Sequence, residues 1–358
     1  MNKIYFTPGP SALYFSVEQH IKYAIKHGIT SISHRSKKFE AIFKEAEERS
    51  RSLLNLPDNY KLVFTSSATE IWEKMTDSLI EEKSLHMVNG AFSKKFYSVA
   101  RNLGKDARQI EAEWGKLPDY KTVTDNHYEV IGVTHNETST GVVTPLENIY
   151  QLKENNPESL VVIDAVSSLP IVNIDFAKVD SVYASVQKAF GLPAGLGAWF
   201  INDKTEAKAR LMKEKGLLRD TYHNILSFID QAENYQTPST PNVLGIFLFS
   251  QVIQDMLNKG MKQIRNDSVY KSAIMYNMLD QHDVLRPFVK EQVLRSETII
   301  VVDSGDRTND LIKYLSNHKM IVGGGYGKMK GKQIRIANFP THSREQFEML
   351  TDLIEKFE

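Results

Sequence analysis

Residues 185–197 read SVQKAFGLPAGLG, which places Lys188 between an apolar strand-like run and a glycine-rich turn. The run that precedes it, residues 180–184, suits a strand buried inside a layered α/β fold. A lysine held at the end of a buried strand can lose its proton, and its neutral amine can then condense with an aldehyde. The stretch therefore predicts an α/β sheet with a reactive amine at its carboxyl edge.

A second apolar run, residues 159–164, ends on Asp164, twenty-four residues before Lys188. A carboxylate in this place can keep a pyridine ring nitrogen protonated, so that the ring accepts electrons from a substrate. An aspartate after a strand is also a common helix cap, so Asp164 alone would decide little. Together, Lys188 and Asp164 indicate an enzyme that uses pyridoxal 5′-phosphate (PLP), with these two residues as its catalytic groups.

Short apolar runs alternate with longer amphipathic ones between about residue 60 and residue 202. The apolar runs are expected to be strands, at 61–65, 84–88, 129–134, 159–164, 180–184 and 196–201. The segments between them, such as 69–81, 93–103 and 146–153, are expected to be helices. This alternation predicts an α/β class, with a large domain built on a mostly parallel sheet that is covered on both faces.

The pattern changes after about residue 245, where two long helical segments, 245–259 and 261–281, come first. They are followed by a strand-like run at 298–302, a helical segment at 308–317 and a strand-like run at 333–337. We expect a large domain over 15–245 and a smaller α+β domain over 246–358, which the N-terminal segment 1–14 joins. Segment 323–327, GGGYG, is expected to be a mobile loop near the mouth of the site.

Polar clusters follow several of the predicted strands, and the carboxyl ends of such strands are where ligands bind. The cluster Thr65-Ser66-Ser67-Ala68-Thr69 joins a strand to a helix, and free N–H groups at a helix N-terminus suit a phosphate. Asn136-Glu137-Thr138 follows another strand, and Gln187 can hydrogen-bond a phosphate or the ring oxygen. We expect these clusters to converge with Asp164 and Lys188 on one edge of the sheet.

Aromatic and cationic residues complete the predicted site. Phe92, after an Asn-Gly-Ala turn, can stack on a pyridine ring, although a phenylalanine at a helix start is more often part of the core. His34, Arg35 and Arg335 offer cationic groups for carboxylate or phosphate, and Lys328 stands near them in the same role. The ten histidines show no spacing typical of a metal site, so no metal is expected.

Composition excludes several classes of function. The 44 basic residues balance the 44 acidic ones, so no overall charge favours nucleic acid or an anionic membrane. The absence of cysteine excludes disulfides, thiolate metal sites and cysteine nucleophiles. No apolar run approaches the length of a membrane span or a secretory signal, so a cytoplasmic protein is expected.

Taken together, these motifs resemble the class V aminotransferases of PLP fold type I, and among them the phosphoserine aminotransferases. The matching segments are spread over nearly the whole chain: Thr7-Pro8-Gly9-Pro10, Ser33-His34-Arg35, Asn136-Glu137-Thr138 with Gly141, Asp164 to Ser168, Gln187-Lys188 with the turn that follows, Gln236-Thr237-Pro238, and Arg335 with Asn338. The resemblance implies seven strands in the sheet of the large domain. It also implies a PLP-dependent transaminase that interconverts phosphoserine and 3-phosphohydroxypyruvate. Glutamate and 2-oxoglutarate would be the other pair, which places the reaction in serine biosynthesis.

The resemblance also implies a role for each matching residue. Lys188 would be the lysine that binds PLP covalently, Asp164 the partner of the ring nitrogen, Thr138 a partner on the ring-oxygen side, and Phe92 the stacking residue. The cofactor phosphate would be held by Ala68, Thr69 and Gln187, and completed by Gln236 and Thr237 of a second subunit, which implies a homodimer. The substrate anions would be bound by His34, Arg35, Arg335, Pro10 and Lys328.

The sequence departs from the family pattern at four places. Ser66-Ser67 stands where a Gly-Gly pair is usual, Phe92 replaces tryptophan, and Gln236 replaces asparagine. Lys328-Met329-Lys330 occupies the place of a His-Arg pair. An alanine–glyoxylate or serine–pyruvate transaminase of the same class is therefore an alternative, and a noncatalytic α/β binding protein or a dehydrogenase-like fold could show the same alternation of elements. A cysteine desulfurase is disfavoured because the chain has no cysteine.

Overall fold

The computed structural model describes residues 3–123 and 127–357. The strands are β1 Ile4–Phe6, β2 Tyr60–Thr65, β3 Lys83–Val88, β4 Asp106–Glu111, β5 Val130–Thr134, β6 Asn136–Glu137, β7 Val142–Val143, β8 Leu160–Asp164, β9 Ser181–Ser185, β10 Gly197–Asn202, β11 Arg286–Pro287, β12 Ile299–Asp303, β13 Met320–Gly324 and β14 Gln333–Ala337. The α-helices are α1 Val17–Lys26, α2 Lys37–Leu54, α3 Ala68–Leu79, α4 Ala91–Asn102, α5 Leu146–Asn155, α6 Asp203–Glu214, α7 Ile225–Ala232, α8 Val243–Lys259, α9 Met261–Gln281, α10 Thr308–Asn317 and α11 Arg344–Glu355.

A seven-stranded sheet forms the larger layer, in the order β2-β10-β9-β8-β5-β3-β4. Strand β10 runs antiparallel to both neighbours, and the remaining pairs are parallel. Every residue of the central strands β5, β8 and β9 is buried, as expected for strands covered by helices on both faces. The predicted α/β class and the mostly parallel seven-stranded sheet are confirmed.

The sequence patterns did not reveal β4, the edge strand of this sheet. Its sequence, DARQIE, contains a single fully buried side chain, Ala107. An edge strand has a neighbour on one side only, so it can carry charged residues that hide the apolar signal. Backbone pairing with β3, and not burial, gives this segment its extended form.

A second sheet, in the order β1-β13-β14-β12-β11, forms the smaller layer. The N-terminal strand β1 pairs in parallel with β13, so the first residues of the chain belong to the C-terminal sheet. A separate apolar core lies beneath this sheet and includes Phe6, Leu311, Ile334 and Phe347. The chain thus crosses between the two layers at its N-terminus as well as after the large sheet.

The packing of α8 differs from the predicted domain limits, 15–245 and 246–358. Residues of α8 from Ile246 to Met256 belong to the same apolar core as the seven-stranded sheet, and α8 packs against α1 and α2. The next helix, α9, packs against α11 and contributes Met275 and Leu279 to the smaller core. We propose that the domains divide near Gly260, which separates α8 from α9.

The glycine-rich segment 323–327 is only partly the loop that was expected. Gly323 and Gly324 end strand β13 and pair with Arg335 and Ile334 of β14. A Cβ atom on Gly323 would lie 2.5 Å from Cδ of Pro8, so the glycine permits close packing and does not mark a free loop.

The helices of residues 3–123 and 127–357 include none whose length and apolar content would let it span a membrane.

Gly191 closes the turn after Lys188 and provides a test of the backbone geometry there. It has a φ of 66°, and its amide and carbonyl bond to Lys188 and Tyr14 at 2.8 Å. A Cβ atom on Gly191 would clash with Thr341 and lie 2.8 Å from the Tyr14 amide nitrogen. Gly216 has a similar φ of 69°, but nothing lies within 4 Å of its Cβ position.

We expect Gly191→Ala to lower the free energy of unfolding by about 2–5 kcal/mol, because backbone strain and overpacking add. Gly216→Ala carries the strain alone and should cost about 1–2 kcal/mol. Denaturant unfolding of both variants measures the difference. Equal losses would show that the contacts of the Lys188 turn are not tightly packed.

Candidate active site

A cavity of about 100 Å³ lies at the carboxyl ends of β5, β8 and β9, beside the N-terminus of α3. The residues that line it are Ala68, Thr69, Trp72, Phe92, Thr134, Asn136, Thr138, Asp164, Val166, Ser185, Gln187 and Lys188. The structure therefore brings together seven of the predicted site residues: Lys188, Asp164, Thr138, Gln187, Phe92, Ala68 and Thr69. Strands that run in parallel end at one edge, which explains this convergence.

Lys188 is the cationic group of the cavity. Its side chain is buried, and Nζ donates a hydrogen bond to Oγ1 of Thr138 at 2.9 Å. Burial lowers the pKa of the Lys188 ammonium to about 8, although Asp164 and Glu137 oppose this shift by their negative charges. A substantial fraction of this amine is consequently neutral slightly above neutral pH, as a nucleophile or general base requires.

Asp164 is the buried carboxyl group of the cavity. Burial raises its pKa to about 6, and a hydrogen bond of 3.0 Å from the Val166 amide partly offsets this effect. The charge of Lys188 also favours the ionised form. The carboxyl group would become a stable anion if a cationic ring nitrogen were placed against it.

Two residues that the sequence analysis missed, Tyr183 and Trp72, form a hydrogen-bonded pair beside Asp164. Tyr183 lies opposite Asp164 in the pairing of β8 with β9, and its hydroxyl group is close enough to oppose the rise in the pKa of the Asp164 carboxyl group. Trp72 of α3 donates its Nε1–H to the Tyr183 hydroxyl at 2.6 Å. Tyr183 precedes Ser185 by two positions in β9 and thus shares its face of the sheet, a signal that could have identified it.

The N-terminus of α3 forms one wall of the cavity, and the helix begins at Ala68, one residue before the expected Thr69. Ser67 caps the helix by accepting a hydrogen bond from the Glu70 amide, and Glu70 in turn accepts from the Ser66 amide. The Ala68 amide donates to the Ser185 hydroxyl at 3.2 Å. The positive end of a twelve-residue helix dipole is thus directed at the cavity, where an anion is stabilised.

Glu137 holds the opposite wall in place. Its fully buried carboxylate accepts hydrogen bonds from the amides of Phe92, Ser93 and Ser139 at 2.9–3.3 Å. The Ser93 and Ser139 hydroxyls also donate to it, at 3.0 and 2.7 Å. The start of α4, which carries Phe92, is therefore fixed relative to Thr138, the residue after Glu137.

Arg335 reaches the cavity from the smaller sheet. Its Nε donates to the Gly324 carbonyl at 2.8 Å, and Nη1 donates to the Thr138 carbonyl at 3.3 Å. Burial lowers the pKa of this guanidinium, which nevertheless stays charged at all physiological pH values. Gly9 packs against the Lys188 side chain, and Pro10 is the next residue in the chain.

The remaining predicted residues lie outside this cavity. Arg35 donates to Gln236 at 2.6 Å, and His34 is its neighbour in the chain. Thr237 lines a second cavity, of about 150 Å³, together with residues that include Thr65 and Ser66. The Nζ of Lys328 lies over the Trp114 ring, 4.7 Å from its centroid. Five predicted residues are therefore absent from the lining of the Lys188 cavity within one chain: His34, Arg35, Gln236, Thr237 and Lys328.

The groups that line the cavity fit a polar aromatic cofactor with an aldehyde and a phosphate. Two buried oxygens, Oδ1 of Asn136 and Oγ1 of Thr134, line it and have no hydrogen-bond partner among the described residues. Buried polar atoms are rarely left unpaired, so a polar ligand is expected to contact them. An amine, a carboxyl group, a phenyl ring and a helix N-terminus supply the other contacts that PLP requires.

The raised pKa of Asp164 predicts a pH-dependent stability in the cofactor-free protein. The folded chain holds this proton up to about pH 6 and the unfolded chain only to about 3.8, so stability falls as pH rises through this window. Asp164→Asn should therefore gain about 3 kcal/mol relative to wild type between pH 3 and pH 7. Denaturant unfolding across this range measures the gain, with the exposed Asp58→Asn as control. A stability difference that does not change with pH would contradict the assignment.

Comparison with known proteins agrees with this geometry. The family described as Aminotransferase class-V matches residues 8–329. A phosphoserine aminotransferase from Rhodococcus opacus is 28% identical over 330 residues, which cover 90% of this chain and 87% of the relative. The crystal structure of a phosphoserine aminotransferase from Cytophaga hutchinsonii is 45% identical, covers 100% of both chains and superposes with a TM-score of 0.97.

The fold is shared more widely than the sequence. An alanine–glyoxylate aminotransferase from Nostoc is 21% identical, covers 99% of this chain and 95% of its own, and has a TM-score of 0.86. An identity of 21% supports a shared fold and carries no conclusion about the substrate. The matched family and the arrangement of the seven-stranded sheet lead to one conclusion: the chain belongs to the class V aminotransferases, PLP-dependent enzymes of fold type I.

Proposed function

We propose that this aminotransferase interconverts phosphoserine and 3-phosphohydroxypyruvate, with glutamate and 2-oxoglutarate as the other pair, as in serine biosynthesis. The observation that carries the proposal is the buried Lys188 amine, bonded to Thr138 in the same cavity as Asp164. The substrate assignment is supported by two relatives named phosphoserine aminotransferase, one of them 45% identical over the whole chain.

Each wall of the cavity has a part in holding PLP in this proposal. Lys188 would hold the cofactor through its aldehyde, Asp164 would pair with the ring nitrogen, and Phe92 would contact the ring. Thr138 would serve the ring-oxygen side, and Ala68, Thr69 and Gln187 would hold the phosphate. The bound cofactor would supply an electron sink for the bonds at the substrate α-carbon.

The Lys188 amine is the proposed general base. With the substrate bound, the neutral Nζ would accept the proton that the substrate α-carbon loses, and the resulting ammonium would donate it elsewhere in the same cavity. The hydrogen bond to Thr138 Oγ1 fixes the position of Nζ, and burial keeps its pKa near 8, so the neutral form is available at physiological pH. The hydrogen bond from Trp72 fixes the Tyr183 hydroxyl beside Asp164.

Arg335 is the proposed anchor of the substrate α-carboxylate. Its guanidinium is fixed by the carbonyls of Gly324 and Thr138, which orients the group beside the cavity. A planar guanidinium can donate two parallel hydrogen bonds to a carboxylate. Pro10 and Lys328 are proposed to border the path by which the substrate enters.

A homodimer in the cytoplasm completes the proposal. Arg35, Gln236 and Thr237 lie away from the cavity of their own chain, which suits residues that serve the cavity of a second subunit. Large apolar side chains near the N-terminus are exposed, with Phe15 at 79% and Ile25 at 64%, and a subunit contact would cover them. Because the chain has no cysteine, it does not depend on an oxidising compartment.

A panel of amino donors tests the substrate assignment. We expect the PLP-loaded enzyme to transfer the amino group of phosphoserine to 2-oxoglutarate with a kcat/KM at least ~100-fold above that for alanine or serine, because removal of a charged contact costs several kcal/mol. A coupled assay that follows glutamate formation measures this ratio. Turnover of alanine with glyoxylate, and none of phosphoserine, would replace the proposal with the alanine–glyoxylate alternative.

The kinetic pattern tests the proposed transamination in a separate way, because it reports whether the first oxo acid leaves before the second substrate binds. A single cavity that releases the first oxo acid before it binds the second substrate gives ping-pong kinetics. Double-reciprocal plots at several concentrations of the second substrate should therefore give parallel lines. Lines that intersect would require both substrates to be bound at once, for which this cavity has no room.

A further inference from the structure

Two aromatic rings from distant parts of the chain stack at the mouth of the cavity. Phe92 lies at the start of α4, and Tyr326 follows β13 in the smaller domain. Their ring centroids are 5.2 Å apart, with an angle of 30° between the planes. We call these two side chains the aromatic pair.

Lys95 is the third member of this cluster. It lies three residues after Phe92 in α4, and side chains on a helix lean toward its N-terminus, so Lys95 reaches back over the pair. Its Nζ donates a hydrogen bond of 2.7 Å to the Tyr326 hydroxyl. The same atom lies 5.5 Å from the centroid of Phe92 and 5.2 Å from that of Tyr326.

Two further cations contact the same rings from the cavity side. Nζ of Lys188 lies 5.3 Å from the Phe92 centroid, and the Arg335 guanidinium carbon lies 5.3 Å from the Tyr326 centroid. Because each of these atoms lies within 5.5 Å of a shared ring centroid, Nζ of Lys95 lies no more than about 11 Å from Nζ of Lys188 and from the Arg335 guanidinium carbon. A substrate held by Arg335 is therefore within reach of Lys95.

The charge of Lys95 is not balanced locally. Within residues 3–123 and 127–357, no carboxylate forms an ion pair with it, whereas the adjacent Lys94 pairs with Glu111 at 2.8 Å. The buried Glu137 carboxylate, which contacts the start of α4, already accepts hydrogen bonds from the Ser93 amide and the Ser139 hydroxyl. An ammonium with an aromatic and a hydroxyl neighbour but no counter-ion is suited to an incoming anion.

We propose that Lys95 and Tyr326 form the subsite for the anionic group at the far end of the substrate, a phosphomonoester dianion. This inference rests on the proposed function, because it assigns the recognition of the phosphate in that reaction. The ammonium has three hydrogen atoms, of which one is bonded to Tyr326, and two remain for phosphate oxygens. The Tyr326 hydroxyl accepts from Lys95, so its own proton is free to be donated to the same phosphate.

The contacts of Arg335 and Lys95 determine which anionic group of the substrate each cation binds. Arg335 is fixed by two backbone carbonyls and takes the planar carboxylate. Lys95 is exposed and compact, and it takes the tetrahedral phosphate, whose oxygens need no planar partner. Tyr326 contacts both cations and sets the spacing between the two ends of the substrate.

Lys95→Gln in the PLP-loaded enzyme tests this subsite. We expect the dissociation constant of phosphoserine, read from the change in the visible spectrum of the cofactor, to rise about tenfold, a value set by a charged hydrogen bond in a partly exposed site. The dissociation constant of serine, which lacks the phosphate, should not change. Lys95→Arg keeps the charge and should restore most of the affinity.

Lys94→Gln is the matched control, because it removes a neighbouring lysine of the same helix whose Nζ contacts Gln109 and Glu111 instead. Its affinity for phosphoserine should equal that of wild type. The affinity of wild type should also increase as pH rises through about 6, where the phosphate takes its second charge. This dependence should be reduced in Lys95→Gln.

Three outcomes would overturn the subsite: equal effects of Lys95→Gln and Lys94→Gln, equal losses for phosphoserine and serine, or an unchanged pH dependence. A failure of the proposed function is distinguishable, since wild type itself would then show no turnover of phosphoserine. In that case calorimetric titration with inorganic phosphate still decides the subsite. Weaker phosphate binding by Lys95→Gln than by Lys94→Gln would support the phosphate subsite, and equal binding by the two variants would contradict it.

Discussion

Burial of an amine and a carboxyl group in one cavity is the constraint on which the site depends. Burial disfavours the charge of Lys188 and of Asp164 alike, so it lowers the first pKa to about 8 and raises the second to about 6. Their mutual attraction opposes both shifts, and the hydrogen bond that the Val166 amide donates to Asp164 further opposes the second. The result is an amine that can react and a carboxyl group that can stabilise a cation, both near neutral pH.

The sheet and its flanking helices hold these two groups with little freedom. Asp164 ends a strand whose five residues are all buried, and Lys188 follows another such strand by three residues. On one side, Trp72 and Tyr183 connect α3 to the carboxyl group of Asp164. On the other side, the Glu137 carboxylate binds Ser93 at the start of α4 and so fixes this helix relative to Thr138, the next residue in the chain. The smaller domain adds Arg335 and Tyr326, so the site lies where the two layers meet.

Much of this arrangement could be predicted because the carboxyl ends of parallel strands must meet at one edge. Lys188, Asp164 and Thr138 follow apolar runs, and the structure places all three in one cavity. The Trp72–Tyr183 support was missed because it depends on the pairing register of β8 and β9, which apolar patterns do not encode. Strand β4 was missed because an edge strand can be polar.

Other differences have equally local causes. Gly323 was taken for part of a loop, whereas its missing side chain makes room for Pro8 inside a sheet. The apolar face of α8 would suit either domain, and its packing against α1 and α2 supports our proposal that it belongs to the larger one. Lys95 looks like any surface lysine in the sequence, because its contact with Tyr326 joins residues 231 positions apart.

The central claim is that Lys188 is the lysine that binds the cofactor. Lys271 is the strongest competitor by chemistry alone, because burial lowers its pKa to about 7, but its Nζ is bonded to the carbonyls of Phe339 and His342 outside the cavity. Borohydride reduction of the PLP-loaded protein, followed by proteolysis and mass spectrometry, locates the modified lysine directly. The account predicts a single phosphopyridoxyl group on Lys188, and modification of Lys271 or of another lysine in its place would contradict it.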